Sequence, residues 1–243
     1  MRIDVYATQN SVLEKSLKDQ LVVIVDVLRA TTTITAALYN GCKEVIPVTE
    51  IEEAINMAKN FEKNAFLLGG ERNSRIIDGF HLSNSPLEYT PELIKDKSII
   101  FTTTNGTRAI RRASDAKRVL LAAFVNVEAI AGYLKAVGEN VTFVCAGTED
   151  RFSLDDIMAV GAVIHRLGES EVDLELDDLG LVCRELYWRY HGNPHKILKD
   201  SYHYRRLAKE GLKQDIDFCL TMDILPVVPV YQDGVVRRLN KEV

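Results

Sequence analysis

At 243 residues the chain is long enough for one large domain or two small ones, either with a substantial core. A composition of 47% hydrophobic and 27% charged residues with a net charge of -5 is that of a globular protein, and the absence of any Lys/Arg-dense patch argues against a nucleic-acid partner. No run approaches membrane-spanning length, and the opening Met-Arg-Ile-Asp-Val-Tyr-Ala lacks the apolar segment of a signal peptide, so no membrane partner is expected.

A repeated unit of short apolar strand, polar loop and amphipathic helix then runs along the chain. Leu21 to Val27 reads as a strand buried on both faces, followed by a helix from Thr31 to Tyr39 with Gly41 as its stop. Glu44 to Val48 is a second strand, with a helix from Ile51 to Phe61. Ala65 to Leu68 is a third, ending in Gly69-Gly70-Glu71-Arg72-Asn73. Lys97 to Phe101 is a fourth, ending in Thr102-Thr103-Thr104-Asn105-Gly106-Thr107 before a helix from Arg108. Val119 to Ala123 precedes a helix capped by Asn126, and Val141 to Cys145 precedes a helix from Leu154 to Leu167. The alternation predicts an α/β fold: a mostly parallel, mixed sheet with helices on both faces.

The tail breaks this rhythm. Asp177 to Tyr190 and Ile197 to Lys209 read as helices, with a further turn over Ile216 to Leu220. Val227 to Tyr231 and Val235 to Leu239 form a hairpin around Asp233-Gly234, and Pro226 and Pro229 push it toward a sheet edge. With no linker or low-complexity tract, a single domain over residues 1–243 is the simplest organisation.

Ligands of open parallel sheets bind at the carboxyl ends of the strands. The residues expected there are Asp26, Arg29 and Thr31, Thr32 and Thr33; Glu71, Arg72 and Asn73; Thr102 to Thr107; and Glu149, Asp150, Asp155 and Asp156. Carboxylates and hydroxyls suit Mg2+, which binds through one or two carboxylates plus water and phosphate. Two arginines and several helix starts suit a small anionic substrate. Each element also has a plainer reading. The three threonines could only cap a helix, and Ser153-Leu-Asp155-Asp156 matches a capping box. Thr102 to Thr107 could be a turn, and Glu71 with Arg72 a surface ion pair.

Other chemistries fare worse. Cys42, Cys145, Cys183 and Cys219 are widely spaced with no Cys-x-x-Cys pair, so reduced buried thiols in a cytoplasmic protein are expected. His191 and His195 have Asn193-Pro194 between them and do not share a helical face. No phosphate-binding P-loop, dinucleotide fingerprint or Gly-x-Ser-x-Gly elbow is present. Asp26-Val27-Leu28 lacks the second aspartate of the haloacid-dehalogenase phosphatases.

Val25 to Ile34, Gly69-Gly70-Glu71-Arg72, Gly79 to Tyr89, Thr103 to Thr107 and Cys145-Ala146-Gly147 with Phe152 to Asp156, in that order, resemble the 2-phosphosulfolactate phosphatase family. The resemblance implies a three-layer α/β/α fold and a magnesium-dependent phosphatase converting 2-phospho-3-sulfolactate to 3-sulfolactate, a step toward coenzyme M. On this reading Asp26, Arg29 and Glu71 are catalytic, and Asp26, Glu71 and Asp155 or Asp156 hold Mg2+. Thr31 to Thr33, Arg72, Asn84, Ser85, Thr104, Asn105, Gly106 and Thr107 would bind the substrate's phosphate, carboxylate and sulfonate. Asp215 and Asp217 lie in a matching stretch of the tail, where they either complete the site or begin a helix. The rival readings are a phosphatase of another small phosphorylated hydroxy acid and a non-catalytic sensor of an anionic metabolite. A homodimer is expected only from how common such dimers are.

Overall fold

The computed structural model describes residues 1–13, 16–169 and 172–239. The domain expected over 1–243 also includes residues 14–15, 170–171 and 240–243, which lie outside the described residues.

The strands are β1 (Arg2–Tyr6), β2 (Leu21–Val25), β3 (Glu44–Pro47), β4 (Phe66–Arg72), β5 (Arg75–Ile76), β6 (Ser98–Thr102), β7 (Arg118–Ala122), β8 (Val141–Cys145), β9 (Glu175–Leu176), β10 (Pro229–Gln232) and β11 (Val235–Arg238). The helices are α1 (Ala30–Tyr39), α2 (Ile51–Ala58), α3 (Pro91–Ile94), α4 (Gly106–Arg112), α5 (Val127–Val137), α6 (Leu154–Gly168), α7 (Asp178–Tyr190), α8 (His195–Leu198), α9 (Tyr202–Lys209) and α10 (Lys213–Cys219). All strands join one sheet in the order β5-β4-β6-β3-β11-β10-β7-β2-β8-β1-β9.

β2 shows why this is a three-layer fold. All of its residues are buried, and successive side chains of a strand point to opposite faces. Leu21, Val23 and Val25 pack into one core with Ile130 of α5 and Val160 of α6. Val22 and Ile24 pack into another with Ile34 of α1 and Ile110 of α4. The sheet is therefore covered on both sides, as the continuous apolar run requires.

Two parallel blocks make up most of the sheet: β4, β6 and β3 on one side, and β7, β2, β8, β1 and β9 on the other. The β10–β11 hairpin joins them, antiparallel to β7 and to β3. This corrects the expectation that its prolines would hold it at an edge. Pro229 is the first residue of β10, a position where the missing N–H costs the ladder little.

The helix expected over Ile197 to Lys209 is divided. Ser201 leaves the helical conformation and its Oγ accepts the Tyr204 N–H (3.3 Å), so α9 starts anew at Tyr202. That restart aims α9 at the carboxyl ends of β2 and β8. Gly41 ends α1 in the left-handed region (φ 91°), as expected. Among the described residues no helix is long and apolar enough to cross a membrane.

Candidate active site

The carboxyl ends of β2, β4, β6 and β8 converge on a polar cavity of ≈ 90 Å³, walled by Asp26, Arg29, Glu71, Asn84, Thr104 and Asn105, with His203 and Arg206 across from them. A wider groove of ≈ 560 Å³ opens alongside, between Phe152 and Tyr202, and shares Thr148 and His203 with the cavity.

Asp26 follows the last residue of β2 and is buried. Its Oδ1 accepts the N–H of Ala30, the first residue of α1 (3.1 Å), which fixes the carboxylate at the helix start. No hydrogen bond reaches Oδ2 from the described residues. Gly106 makes this placement possible: a Cβ there would lie 2.6 Å from Asp26 Oδ2 and 2.4 Å from Ala30 Cβ. Burial, with the charges of Asp155 and Glu71 added, pushes the Asp26 carboxyl up to about 7.

The aspartates opening α6 take different roles. Asp156 does not bond its own first turn, as a capping box would require. Its Oδ1 accepts the Val27 N–H (2.9 Å) and its Oδ2 the Gly147 N–H (3.2 Å), tying the turn after β2 to the loop after β8. Burial raises its pKa well above the ordinary carboxyl value, and Asp155 and Asp26 add to the effect. Asp155 accepts the Ser153 hydroxyl at Oδ1 (2.9 Å), while its buried Oδ2 has no hydrogen-bond partner and lies 4.0 Å from His203 Nδ1.

Glu71, near the end of β4, is a cross-link. One carboxylate oxygen accepts the Thr104 N–H (2.8 Å) and hydroxyl (2.9 Å), and the other accepts the Ser74 N–H (2.8 Å). Of the four carboxylates expected to hold metal, Asp26 and Asp155 thus keep an oxygen uncommitted, whereas Glu71 and Asp156 spend both on N–H or O–H donors. No group of three or more His, Cys, Asp or Glu side chains among the described residues is arranged to hold a metal ion. A two-carboxylate donor set still fits Mg2+, which takes its remaining ligands from water and substrate phosphate. The unpartnered buried oxygen of Asp155 is the atom such a cation would satisfy.

Arg29 is buried and forms an ion pair with Asp215 of α10 (2.5 Å), and it also donates to Ser74 O (3.3 Å). Its peptide bond with Leu28 is cis. Ser85 lies behind this pair, donating to Asp215 Oδ1 (2.9 Å), so it positions Arg29 rather than lining the cavity. Asp215 thus braces Arg29 without lining the cavity, and Asp217 is exposed on the same helix. Asn84 lines the cavity with its buried Oδ1 unpartnered.

Several expected substrate contacts are not brought to the cavity. The Thr31 hydroxyl lies within 2.7 Å of both Asp26 O and Ala122 O, Thr32 donates to Val27 O (2.9 Å) and Thr33 to Asn84 O (2.9 Å). These fully buried hydroxyls are spent on backbone carbonyls, and the side chain that meets the start of α1 is Asp26, through the Ala30 N–H. Arg72 turns outward to Thr49 O (2.9 Å) and Thr102 Oγ1 (3.0 Å), joining neighbouring strands. Thr107 closes a local loop with Thr103. Thr104 and Asn105 do face the cavity, and Gly106 supplies the clearance described above.

His203 and Arg206 were not among the expected residues. They stand three apart on α9, so they share a helical face. His203 Nδ1 is 3.0 Å from Thr148 Oγ1, and burial lowers its pKa, opposed by the charge of Asp155. Arg206 pairs with Glu149 (2.9 Å), which also accepts the Tyr202 hydroxyl (3.1 Å).

The strand ends of this three-layer α/β scaffold thus bring together buried carboxylates, a braced arginine and a hydroxyl-rich turn. The 2-phosphosulpholactate phosphatase family model matches residues 6–234. Relatives named probable 2-phosphosulfolactate phosphatase include proteins of Caldanaerobacter subterraneus subsp. tengcongensis (51% identical, covering 98% of each chain) and Clostridium tetani (41%, covering 98% of this chain and 100% of the relative). A third, from Symbiobacterium thermophilum, is 44% identical over 93% of this chain and 97% of its own. The chain belongs to the 2-phosphosulfolactate phosphatase family, a family of phosphoric monoester hydrolases.

Proposed function

We propose that this chain hydrolyses 2-phospho-3-sulfolactate to 3-sulfolactate and inorganic phosphate, with Mg2+ held by Asp26 and Asp155. The observation that carries the metal assignment is the pair of buried carboxylates with one uncommitted oxygen each. The substrate assignment rests on the family and its relatives. Bound at these oxygens, Mg2+ would supply positive charge to the phosphoryl group and to an attacking water.

The chain's own residues supply the remainder. Arg29, immobilised by Asp215, offers its other N–H groups to phosphoryl oxygens, and as a fixed cation it needs no reorganisation when charge develops there. Glu71 holds the Thr104–Asn105 turn against the cavity, presenting Asn105 to the substrate. Asp156 keeps the turn after β2 in register with the loop after β8, so that Asp26 and His203 face one space. Coenzyme M formation as the pathway is part of the proposal, and loss of coenzyme M on deletion of the gene tests it.

Phosphate release and Mg2+ calorimetry on wild type, Asp26→Asn and Asp155→Asn test the assignment. Each variant should remain folded, lose measurable Mg2+ binding and lose turnover on the order of a thousandfold. Near-normal turnover of a variant at saturating Mg2+ would remove that carboxylate from the metal role and overturn the two-carboxylate site.

A further inference from the structure

Two arginines face the cavity, and they are held in opposite ways. Arg29 and Asp215 are 2% and 6% exposed, with Ser85 bracing the aspartate. Separating that pair would strand a buried charge. Arg206 and Glu149 are 28% and 54% exposed, a setting in which an ion pair contributes little. Glu149 stands in the loop after β8 with left-handed backbone (φ 52°), next to Asp150 (φ 59°), in a conformation non-glycine residues rarely hold.

The proposed substrate carries phosphate, carboxylate and sulfonate on a three-carbon frame, while Asp26, Glu71 and Glu149 give the cavity wall negative charge. Mg2+ and Arg29 would answer the phosphate. A remaining anionic group needs a cation that can be released from its present partner at little cost, and Arg206 meets that condition. We propose that Arg206 binds the substrate's sulfonate, and that Glu149 holds Arg206 in the free enzyme until the sulfonate displaces it. This inference rests on the proposed function. Arg206 is then a specificity determinant, since it would not touch the phosphoryl group.

The test compares steady-state kinetics of wild type, Arg206→Ala and Glu149→Gln on 2-phospho-3-sulfolactate and on 2-phospholactate, which lacks the sulfonate. Loss of a charge-assisted contact in Arg206→Ala should raise KM for the sulfonated substrate about 10- to 100-fold. Its kcat, and both constants for phospholactate, should stay within about twofold, because a contact equal in ground and transition states moves KM alone. Glu149→Gln should lower KM for the sulfonated substrate, as the competing carboxylate is gone. Equal losses on both substrates, or a raised KM in Glu149→Gln, would overturn the inference. If Arg206→Ala fails to fold by circular dichroism, Arg206→Lys is read in the same way. If wild type hydrolyses neither substrate, the proposed function fails. The arginine's role is then read from calorimetry of 3-sulfolactate against lactate, where equal binding by wild type overturns it.

Discussion

Replacing Asp26 with Asn should make the metal-free protein more stable, and increasingly so as pH rises. The carboxylate is buried among other acids, and its pKa rises to about 7 in the fold against about 3.9 in an unfolded chain. The folded state therefore binds the proton more tightly, and stability from this group is complete below about pH 4 and lost as pH climbs toward 7. At about 1.4 kcal/mol per tenfold in proton affinity, the penalty in wild type is about 1 to 2 kcal/mol at pH 5 and about 4 kcal/mol at pH 8. Asn removes the charge while its Oδ1 can still accept the Ala30 N–H, so the variant recovers up to these amounts. They are upper values, because local relaxation and water entry relieve part of the cost of a buried charge. Urea unfolding followed by circular dichroism, with EDTA at both pH values, measures the gain. A variant no more stable than wild type at pH 8, or a gain independent of pH, would refute the electrostatic reasoning.

Other substitutions separate support from substrate contact. Asp215→Asn leaves the Arg29 guanidinium buried without its counter-charge and should cost about 3 kcal/mol in unfolding free energy, with turnover falling as well. Gly106→Ala forces a Cβ against Ala30 and Asp26 Oδ2. It should lower stability by about 1 to 3 kcal/mol and weaken Mg2+ binding measured by calorimetry. Thr31→Val removes the hydroxyl that accepts the Asp26 N–H and lies within donating distance of Asp26 O and Ala122 O. It should cost about 1 to 3 kcal/mol with KM unchanged, whereas a raised KM would return Thr31 to the substrate-binding set.

β2 was legible because burial on both faces leaves a run with no polar interruption until Asp26, and parallel topology then puts Asp26 at the ligand end. The same rule placed Glu71, Thr104 and Asn105. The roles within the site were less legible. A threonine hydroxyl has the same sequence signature whether it serves a ligand or a carbonyl, so Thr31 to Thr33 could not be assigned before their partners were known. Arg72 adjoins Glu71 in sequence, yet the pleat sends neighbours to opposite faces, and only Glu71 meets the cavity. His203 and Arg206 come from a helix outside the strand-helix repeat, so collecting strand ends could not find them. The break at Ser201, a capping residue inside an expected helix, was the available signal. The β10–β11 hairpin was readable as a hairpin, but its insertion between β7 and β3 depends on long-range pairing.

The most direct test of the proposed chemistry is phosphate release from 2-phospho-3-sulfolactate by the purified protein as Mg2+ is titrated back after EDTA treatment. The expected result is negligible release without the cation and saturable recovery with it. Release that persists undiminished in EDTA, or none at any Mg2+ concentration, would contradict the central claim.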